Sequence, residues 1–470
     1  MSATATTEKK YLKWYQKLAY GSGDLASNCS YGLVSSFVLL YLTGTLGLDS
    51  AIIGSLMLAS KVLDGISDVI FGTLIDRTHS KLGKARPWML FGQVGVSLCL
   101  FLLFAIPAGS TTMQYIYFFI VYTALNAVFY TANGIAYSSL VALITKNNNE
   151  RVQLGSFRFM FAVVTNIFMG FAVTGMVEKF GSGAAGWRTT ALIFAIVGLV
   201  VNTISCLAVK ELPEEELSDN TSEAAEEGKA VAEEKKHGFA ETAKVLVHNK
   251  YYLMILAIYI VYYIMSNLTT GAGVFCATYY WGDGSLLGQF SMMKMFPVII
   301  ALAIAPVLIK KTGSMQKVNF WGYAISSVLG IPMIYFAMQK NLSMFLLFMF
   351  IKGIFAGTLS GSLNALIAEA SGYTTRTTGI HMDGMMYSCS SLGVKVGGGI
   401  GTAAVGWLLK LGGFVGTATV QSESAIRMIF NLYITFPFVI GIIITVLLAF
   451  LDVEKANKKW DAEHKKEAQA

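Results

Sequence analysis

The sequence is dominated by apolar runs that are each about as long as a lipid bilayer is thick. A helix needs about 20 apolar residues to cross the hydrocarbon core, and runs of this length recur along the 470 residues. We count twelve, at 20–43, 50–72, 88–107, 114–144, 156–177, 188–209, 251–280, 286–309, 318–338, 343–369, 379–409 and 427–451. Only 13% of the residues are charged, against about 25% in soluble domains. The pattern predicts an all-α membrane protein with twelve transmembrane helices.

A polar stretch rich in Glu, Ala and Lys separates the sixth run from the seventh. We predict an N-terminal six-helix bundle at 1–209, a cytoplasmic linker at 210–250 and a C-terminal six-helix bundle at 251–452. Residues 453–470 would form a cytoplasmic tail, and 239–247 a short amphipathic helix. Two parallel halves of six helices are typical of transporters that work by alternating access.

Basic residues are concentrated in alternate loops. The loop 77–86 is rich in Lys and Arg, whereas 45–50 and 108–112 contain neither. The positive-inside rule then places both termini in the cytoplasm, and we expect a multi-pass protein of a bacterial inner (plasma) membrane. The net charge of +7 is interpreted as a topology signal, so no nucleic-acid partner is predicted.

No pattern in the sequence supports catalysis. There is no phosphate-binding loop for ATP, no C-x-x-C among the five cysteines, and the five histidines lie mostly in polar loops. We therefore predict that the protein is not an enzyme and has no cofactor other than a coupling ion. We also expect a monomer.

The second run contains three charged residues. Lys61, Asp64 and Asp68 are spaced i, i+3, i+7, so they share one helix face. An ionised group in mid-membrane costs roughly 2.5–3.5 kcal/mol, and such groups usually mark ion pathways. We expect Asp64 and Asp68 to bind a coupling cation, H⁺ or Na⁺, and Lys61 to modulate them. The alternative is an ion pair that only joins two helices.

The turn after this run has the pattern G-x-L-x-D-R followed by G-(K/R)-x-R. It places Asp76, Arg77 and Arg86 where ion pairs with a neighbouring helix can close one side of a carrier and release it again. We predict a gating role for them, the alternative being a plain basic loop. The pattern resembles the signature loop of the major facilitator superfamily.

A finer resemblance is carried by Gly23-Asp24, by the segment KVLDGISD at 61–68, by GKARPW at 83–88, and by Arg158 and Lys395. These residues resemble the glycoside–pentoside–hexuronide:cation symporters, which include the melibiose and glucuronide permeases, and the match covers nearly the whole chain. The resemblance implies a major facilitator fold of two six-helix bundles and symport of a sugar with H⁺ or Na⁺.

The resemblance also implies roles for single residues. Asp64 and Asp68 match the carboxylates of the cation site, which is a metal site if the ion is Na⁺. Thr131 matches a hydroxyl ligand. Ser67 belongs to the same set, and it stands where sodium-using members carry Asn, which weakens the case for Na⁺.

The implied sugar site is built from Asp24 and Arg158, with Lys395 near both the sugar and the cation, and with Tyr31 and Tyr130 lining the same cavity. One departure is clear, because Gly134 stands where the melibiose permease has a sugar-binding aspartate. The neighbouring Asn133 would face a different direction on a helix.

Sugar chemistry suits these residue types independently of the family. A carboxylate such as Asp24 accepts two hydroxyl hydrogens, Arg158 donates in a fixed fork, and Tyr137 or Tyr31 offers a ring with a polar tip. The alternatives are a helix N-cap for Asp24, a basic-loop charge for Arg158 and a purely structural role for Lys395.

We therefore expect a secondary active symporter that imports a glycoside or related sugar (an oligosaccharide, pentoside or glucuronide) with H⁺ or Na⁺. The alternatives are a sugar facilitator or proton-coupled antiporter of the same fold, and a membrane sensor that transports nothing.

Overall fold

The computed structural model describes residues 9–213, 246–379, 383–418 and 420–467. Most of the predicted linker, including 239–245 of its predicted helix, lies outside these residues. The regular elements of the described residues are all helical. The long helices are α1 Trp14–Thr45, α2 Ser50–Asp76, α3 Arg86–Leu103, α4 Thr111–Ile144, α5 Asn148–Lys179, α6 Gly183–Leu207, α7 Lys250–Tyr280, α8 Leu286–Thr312, α9 Met315–Met338, α10 Leu342–Thr378, α11 383–411 and α12 423–450. A further helix, α13 Val453–Glu467, occupies the predicted tail.

Eleven helices of the described chain are long and apolar enough to cross a membrane, and α2 is not among them. With 27 residues, α2 is nevertheless about 40 Å long at roughly 1.5 Å per residue. It is the helix that carries the charged stripe Lys61, Asp64 and Asp68. The predicted architecture of twelve helices is confirmed.

Five segments within or at the ends of these helices are wound as π-helix, in which the backbone bond spans one residue more than in an α-helix. They are Tyr41–Thr45, Ala124–Tyr130, Cys276–Tyr280, Gly393–Gly397 and Asn431–Thr435. Such turns are rare and frequently mark functional positions. Two of them, in α4 and α11, are next to or contain predicted site residues, Thr131 and Lys395.

The chain forms two compact units. The first consists of Met1–Asp219, Ala277–Gly288 and Gly406–Ala425. The second consists of Asn220–Cys276, Gln289–Val405 and Ile426–Ala470.

Within the first unit, buried amides hold α3, α4 and α6 together. Asn133 and Asn202 both donate to the carbonyl oxygen of Met89, at 2.8 and 2.9 Å, and both are almost fully buried. A buried donor left without a partner costs about 1–3 kcal/mol, so these bonds fix the rotation of α4 about its axis. Asn133 therefore points into the helix packing, as its offset from Gly134 predicted.

The close approach of α3 to α4 depends on Gly95. A Cβ at this position would overlap the ring of Phe129, which lies in the π-helical segment of α4. A Cβ at Gly134, also on α4, would meet nothing within 4 Å. The two glycines therefore provide a matched test of how tightly this segment is held.

We expect Gly95→Ala to destabilise the protein by about 1–3 kcal/mol, the usual cost of overpacking, because α3 or Phe129 must move. Gly134→Ala should leave thermal unfolding in detergent unchanged. Equal unfolding temperatures for the two variants would show that the α3–α4 contact does not constrain this segment.

Candidate cation and sugar site

The carboxylate of Asp64 is bound by a hydroxyl from a neighbouring helix. Thr131 Oγ1, on α4, lies 2.7 Å from Asp64 Oδ1 and 2.9 Å from the carbonyl oxygen of Asn126. The backbone N–H of Thr131 donates to the same carbonyl, which is the i→i+5 bond of a π turn. A threonine hydroxyl inside a regular α-helix reaches the i−4 carbonyl instead. The π-helical segment therefore places this hydroxyl between Asn126 and Asp64.

Two contacts at Thr131 compete for one hydrogen. A hydroxyl carries a single hydrogen, and an ionised carboxylate only accepts. With Asp64 ionised, Thr131 can donate either to Asp64 or to Asn126, but not to both. With Asp64 protonated, Asp64 donates to Thr131 and Thr131 donates to Asn126, and both contacts are hydrogen bonds. One proton on the carboxyl group would allow both contacts of Thr131 to be hydrogen bonds at the same time.

The other predicted members of the cation site surround Asp64 on α2. Lys61 Nζ lies 3.5 Å from Asp64 Oδ2, which is longer than a normal hydrogen bond of about 2.7–3.2 Å. Ser67 Oγ donates to the carbonyl oxygen of Asp64 at 2.9 Å, so its hydrogen is used within the helix. Asp68 is half-buried one turn further along α2.

A second ionised cluster joins α1 to α4 and α5. Arg158 Nε donates to Asp24 Oδ2 at 2.5 Å, and the guanidinium lies 4.2 Å from the centre of the Tyr137 ring. Tyr137 Oη donates to the carbonyl of Tyr20 at 2.8 Å and lies 3.3 Å from Asp24 Oδ2. Three of the predicted sugar-site residues, Asp24, Arg158 and Tyr137, are therefore in direct contact.

These contacts decide between the alternative interpretations of the charged pair. Asp24 is not an N-cap, because α1 restarts after Ser22 at Gly23 and the Asp24 carboxylate is bonded to Arg158 instead. Arg158 is not a free basic-loop charge, because it pairs with Asp24 and covers an aromatic ring.

A pair of tyrosines lies between the two clusters. The rings of Tyr31 and Tyr130 are stacked with centroids 5.5 Å apart. Lys61 Nζ lies 6.0 Å from the centre of the Tyr31 ring, at the limit of a cation–π contact. Tyr130 immediately precedes Thr131. A movement of either tyrosine would therefore change the positions of Lys61 or Thr131 next to Asp64.

Two amide side chains that the sequence did not single out extend the polar face beside Asp24. Asn28 Nδ2 donates to the carbonyl of Asp24 at 2.7 Å, and Asn166 Nδ2 donates to Asn28 Oδ1 at 2.9 Å. Asn28 lies one turn after Asp24, and Asn166 two turns after Arg158. These helical spacings were the signal that could have identified them.

Gly134 and Lys395 lie on the helices where the sequence predicts them, α4 and α11. Space is open beside Gly134, so no other group fills the place of the aspartate that the resemblance implies. Lys395 belongs to the second unit, in the π-helical segment Gly393–Gly397 of α11. Its role near the cation and the sugar remains a prediction.

The residues of the predicted gate lie in the first unit. Asp76 and Arg77 are exposed at the end of α2, and neither forms an ion pair with another described residue. Arg86 donates to the carbonyls of Cys206 and Leu82. The gating role of these side chains remains a prediction.

A carboxylate that the sequence did not single out holds the start of α3. Glu211 accepts hydrogen bonds from three successive backbone N–H groups, those of Lys84, Ala85 and Arg86, at 2.7–3.0 Å. A negative charge at a helix N-terminus is favourable, because the N–H groups there have no partner within the helix. Glu211 therefore fixes the end of the loop that carries the predicted gate.

Comparison with known proteins finds relatives along almost the whole chain. The chain is 26% identical over 459 residues to the isoprimeverose transporter of Lactiplantibacillus pentosus, covering 97% of this chain and 92% of that protein. It is 24% identical over 426 residues to an inner membrane symporter of Escherichia coli (strain K12), covering 90% and 88%.

A solved structure of a D-xylose-proton symporter superposes with a TM-score of 0.63 at 13% identity, covering 94% of this chain and 98% of that one. This likeness shows the major facilitator fold. The resemblance to glycoside–pentoside–hexuronide:cation symporters is confirmed. Residues 19–455 match the family described as MFS/sugar transport protein, and the chain belongs to that family of integral membrane transporters.

Proposed function

We propose that the protein is a symporter that moves a glycoside or related sugar together with a cation, by alternating access. The observation that carries the proposal is the pair of polar clusters in the first unit, Asp64 with Thr131 and Asp24 with Arg158, with stacked tyrosines between them. Relatives named as an isoprimeverose transporter and as a symporter support both halves of the proposal.

A proton is the coupling cation that the hydrogen bonds favour. One proton on Asp64 completes the chain from Asp64 through Thr131 to Asn126. Na⁺ would instead need the oxygens of Asp64, Asp68, Thr131 and Ser67 to converge. The resemblance places Asn at position 67 in sodium-using members, and the serine found there favours the proton.

The sugar would bind beside Asp24 and Arg158. Asp24 uses Oδ2 for its contacts with Arg158 and Tyr137, so Oδ1 can accept a sugar hydroxyl. Arg158 has five N–H groups, and one of them is used by Asp24. Tyr31 and Tyr130 would supply ring faces for the C–H surface of the sugar, with Lys395 as a further contact.

Coupling would arise because each ligand completes a cluster that shares the tyrosine pair. A cation on Asp64 removes a charge from mid-membrane, which lowers the cost of closing the site. The two ligands would then favour each other by typically 1–3 kcal/mol.

We further propose that the protein is a monomer in a bacterial inner membrane, with both termini in the cytoplasm. The linker 210–250 would join its two halves, and Asp76, Arg77 and Arg86 would form a gate.

We expect Asp64→Asn to abolish uphill sugar accumulation in proteoliposomes, since Asn cannot gain or lose the coupling charge, while sugar exchange at equal concentrations persists. Asp461→Asn, at a partly exposed position of α13 where the carboxylate lies 3.6 Å from Arg376, is the matched control and should accumulate sugar normally. Full sugar accumulation by Asp64→Asn would show that Asp64 does not bind the coupling cation. Absence of any flux in the wild type would favour the membrane sensor.

We expect an inward proton gradient to drive uptake without Na⁺, and Thr131→Val to shift the pH dependence of uptake, because the variant keeps the side-chain volume but removes the hydroxyl. Uptake that follows a Na⁺ gradient at constant pH would contradict the proton. Sugar efflux driven by an inward proton gradient would favour antiport, and uptake indifferent to both gradients would favour a facilitator.

We expect Arg158→Lys to weaken sugar binding about 10- to 100-fold, or about 1.4–2.8 kcal/mol, because lysine lacks the planar fork that holds Asp24. Binding is measured by calorimetry on the purified protein. Arg151→Lys, at the start of the same helix, is the control. Unchanged sugar affinity in Arg158→Lys would place the sugar elsewhere.

A further inference from the structure

A cavity of about 190 Å³ lies within the second unit, among α7, α8, α9, α10 and α12. Its wall contains two lysines, Lys294 of α8 and Lys352 of α10, together with the phenol groups of Tyr262 and Tyr323 and several serine hydroxyls. No aspartate or glutamate is among the described residues that line it. The cavity wall is therefore mostly apolar, and the two lysines are the only charged groups among the described residues that line it.

Both lysines lie deep in apolar helices and at similar depth. Lys294 comes about eight residues after the start of α8 and Lys352 about ten residues after the start of α10, or about 12 and 15 Å along the helices at roughly 1.5 Å per residue. The two helices enter from the same side, because the chain crosses the membrane twice between their first residues. A buried charge in a membrane is a functional position by default.

Neither lysine has an acidic partner among the described residues. Lys294 Nζ lies 3.1 Å from Thr270 Oγ1 and 3.4 Å from Thr269 Oγ1, and no described residue bonds to the ammonium of Lys352. In the first unit, by contrast, Arg158 pairs with Asp24 and Lys17 with Glu150 at 2.9 Å. Two lysines with no acidic partner among the described residues therefore line one cavity.

An independent observation comes from Tyr323. Its side chain is 2% exposed and lines the cavity, yet its hydroxyl has no hydrogen-bond partner in the described structure. Buried polar groups are nearly always paired, and an unpaired one costs about 1–3 kcal/mol. A ligand with oxygen atoms in this cavity would satisfy Tyr323 and neutralise the lysines at once.

We propose that this cavity binds an anionic group, such as a carboxylate, sulfonate or phosphate, carried by the transported sugar. The proposal rests on the sugar symport proposed above and narrows the substrate to acidic sugars. Lys294 and Lys352 supply the charge, and Tyr323 donates a hydrogen bond to an acceptor oxygen. A cavity of about 150 Å³ admits benzene, whereas whole-ligand pockets span roughly 300–1,000 Å³, so this cavity suits the acidic end of a larger ligand.

The test compares two sugars that differ only at the acidic group. A β-glucuronide and the β-glucoside with the same aglycone share every ring substituent except the carboxylate, which is CH₂OH in the glucoside. We expect calorimetry on the purified protein to show at least tenfold tighter binding of the glucuronide. Glycosides with sulfonate or phosphate at the same carbon show which acid the cavity prefers.

Lys294→Met and Lys352→Met should each weaken binding of the preferred acidic sugar about tenfold or more and leave glucoside binding unchanged. Lys352→Arg, which keeps the charge, should restore most of the preference. Lys310→Met, at the exposed end of α8, is the matched control and should behave as the wild type.

A measurement on the unmodified protein covers the case in which the variants fail to fold. Acidic sugars should protect Lys294 and Lys352 from an amine-reactive reagent, as mapped by mass spectrometry, and the glucoside should not. If no acid protects them, or if glucoside and acids bind alike, the anionic site is refuted while glucoside accumulation still supports symport. If acidic sugars protect the lysines but no sugar accumulates, the anion site stands and symport fails.

Discussion

The central constraint on the first unit is that the carboxylate of Asp64 needs hydrogen-bond partners from the protein. An ionised group in the middle of a transmembrane helix needs partners in the protein, and Asp64 receives one from a different helix, the hydroxyl of Thr131 at 2.7 Å. That hydroxyl is available because α4 is wound as a π-helix from Ala124 to Tyr130. In an unbroken α-helix the same hydroxyl would reach the carbonyl four residues back, whereas here it lies 2.9 Å from the carbonyl of Asn126, five residues back. The π-helical segment of α4 and the charged residue of α2 therefore meet at the hydroxyl of Thr131.

The two clusters of the first unit differ in how tightly they are closed. Asp24 and Arg158 form a short charge-assisted hydrogen bond of 2.5 Å, of the kind that fixes geometry. Lys61 Nζ and Asp64 Oδ2 are 3.5 Å apart, which is longer than a normal hydrogen bond. A coupling cation competes more easily with a loose partner than with a tight one. In the proposed mechanism, a coupling cation would compete with the longer Lys61–Asp64 contact and not with the short Asp24–Arg158 pair.

Features that depend on linear pattern could be predicted from the sequence. Each apolar run corresponds to one helix, and the i, i+3, i+7 spacing of Lys61, Asp64 and Asp68 places them on one face of α2. The pairing of Asp24 with Arg158 was consistent with their residue types but required the packing of α1 against α5. The π-helical turn before Thr131, the Glu211 carboxylate at the start of α3 and the Asn28–Asn166 bond could not be predicted, because each depends on how separate helices pack.

Lys294 and Lys352 could not be recognised as a site from the sequence. Each carries the same signal as Lys61, a charge within an apolar run, but no carboxylate follows at helical spacing, so no constellation was visible. Only the fold shows that α8 and α10 bring both to one cavity with the unpaired hydroxyl of Tyr323. In the first unit the described cations at the site are balanced by carboxylates within the protein. In the second unit no described residue that lines the cavity supplies a negative charge, and a transported acidic ligand would supply it.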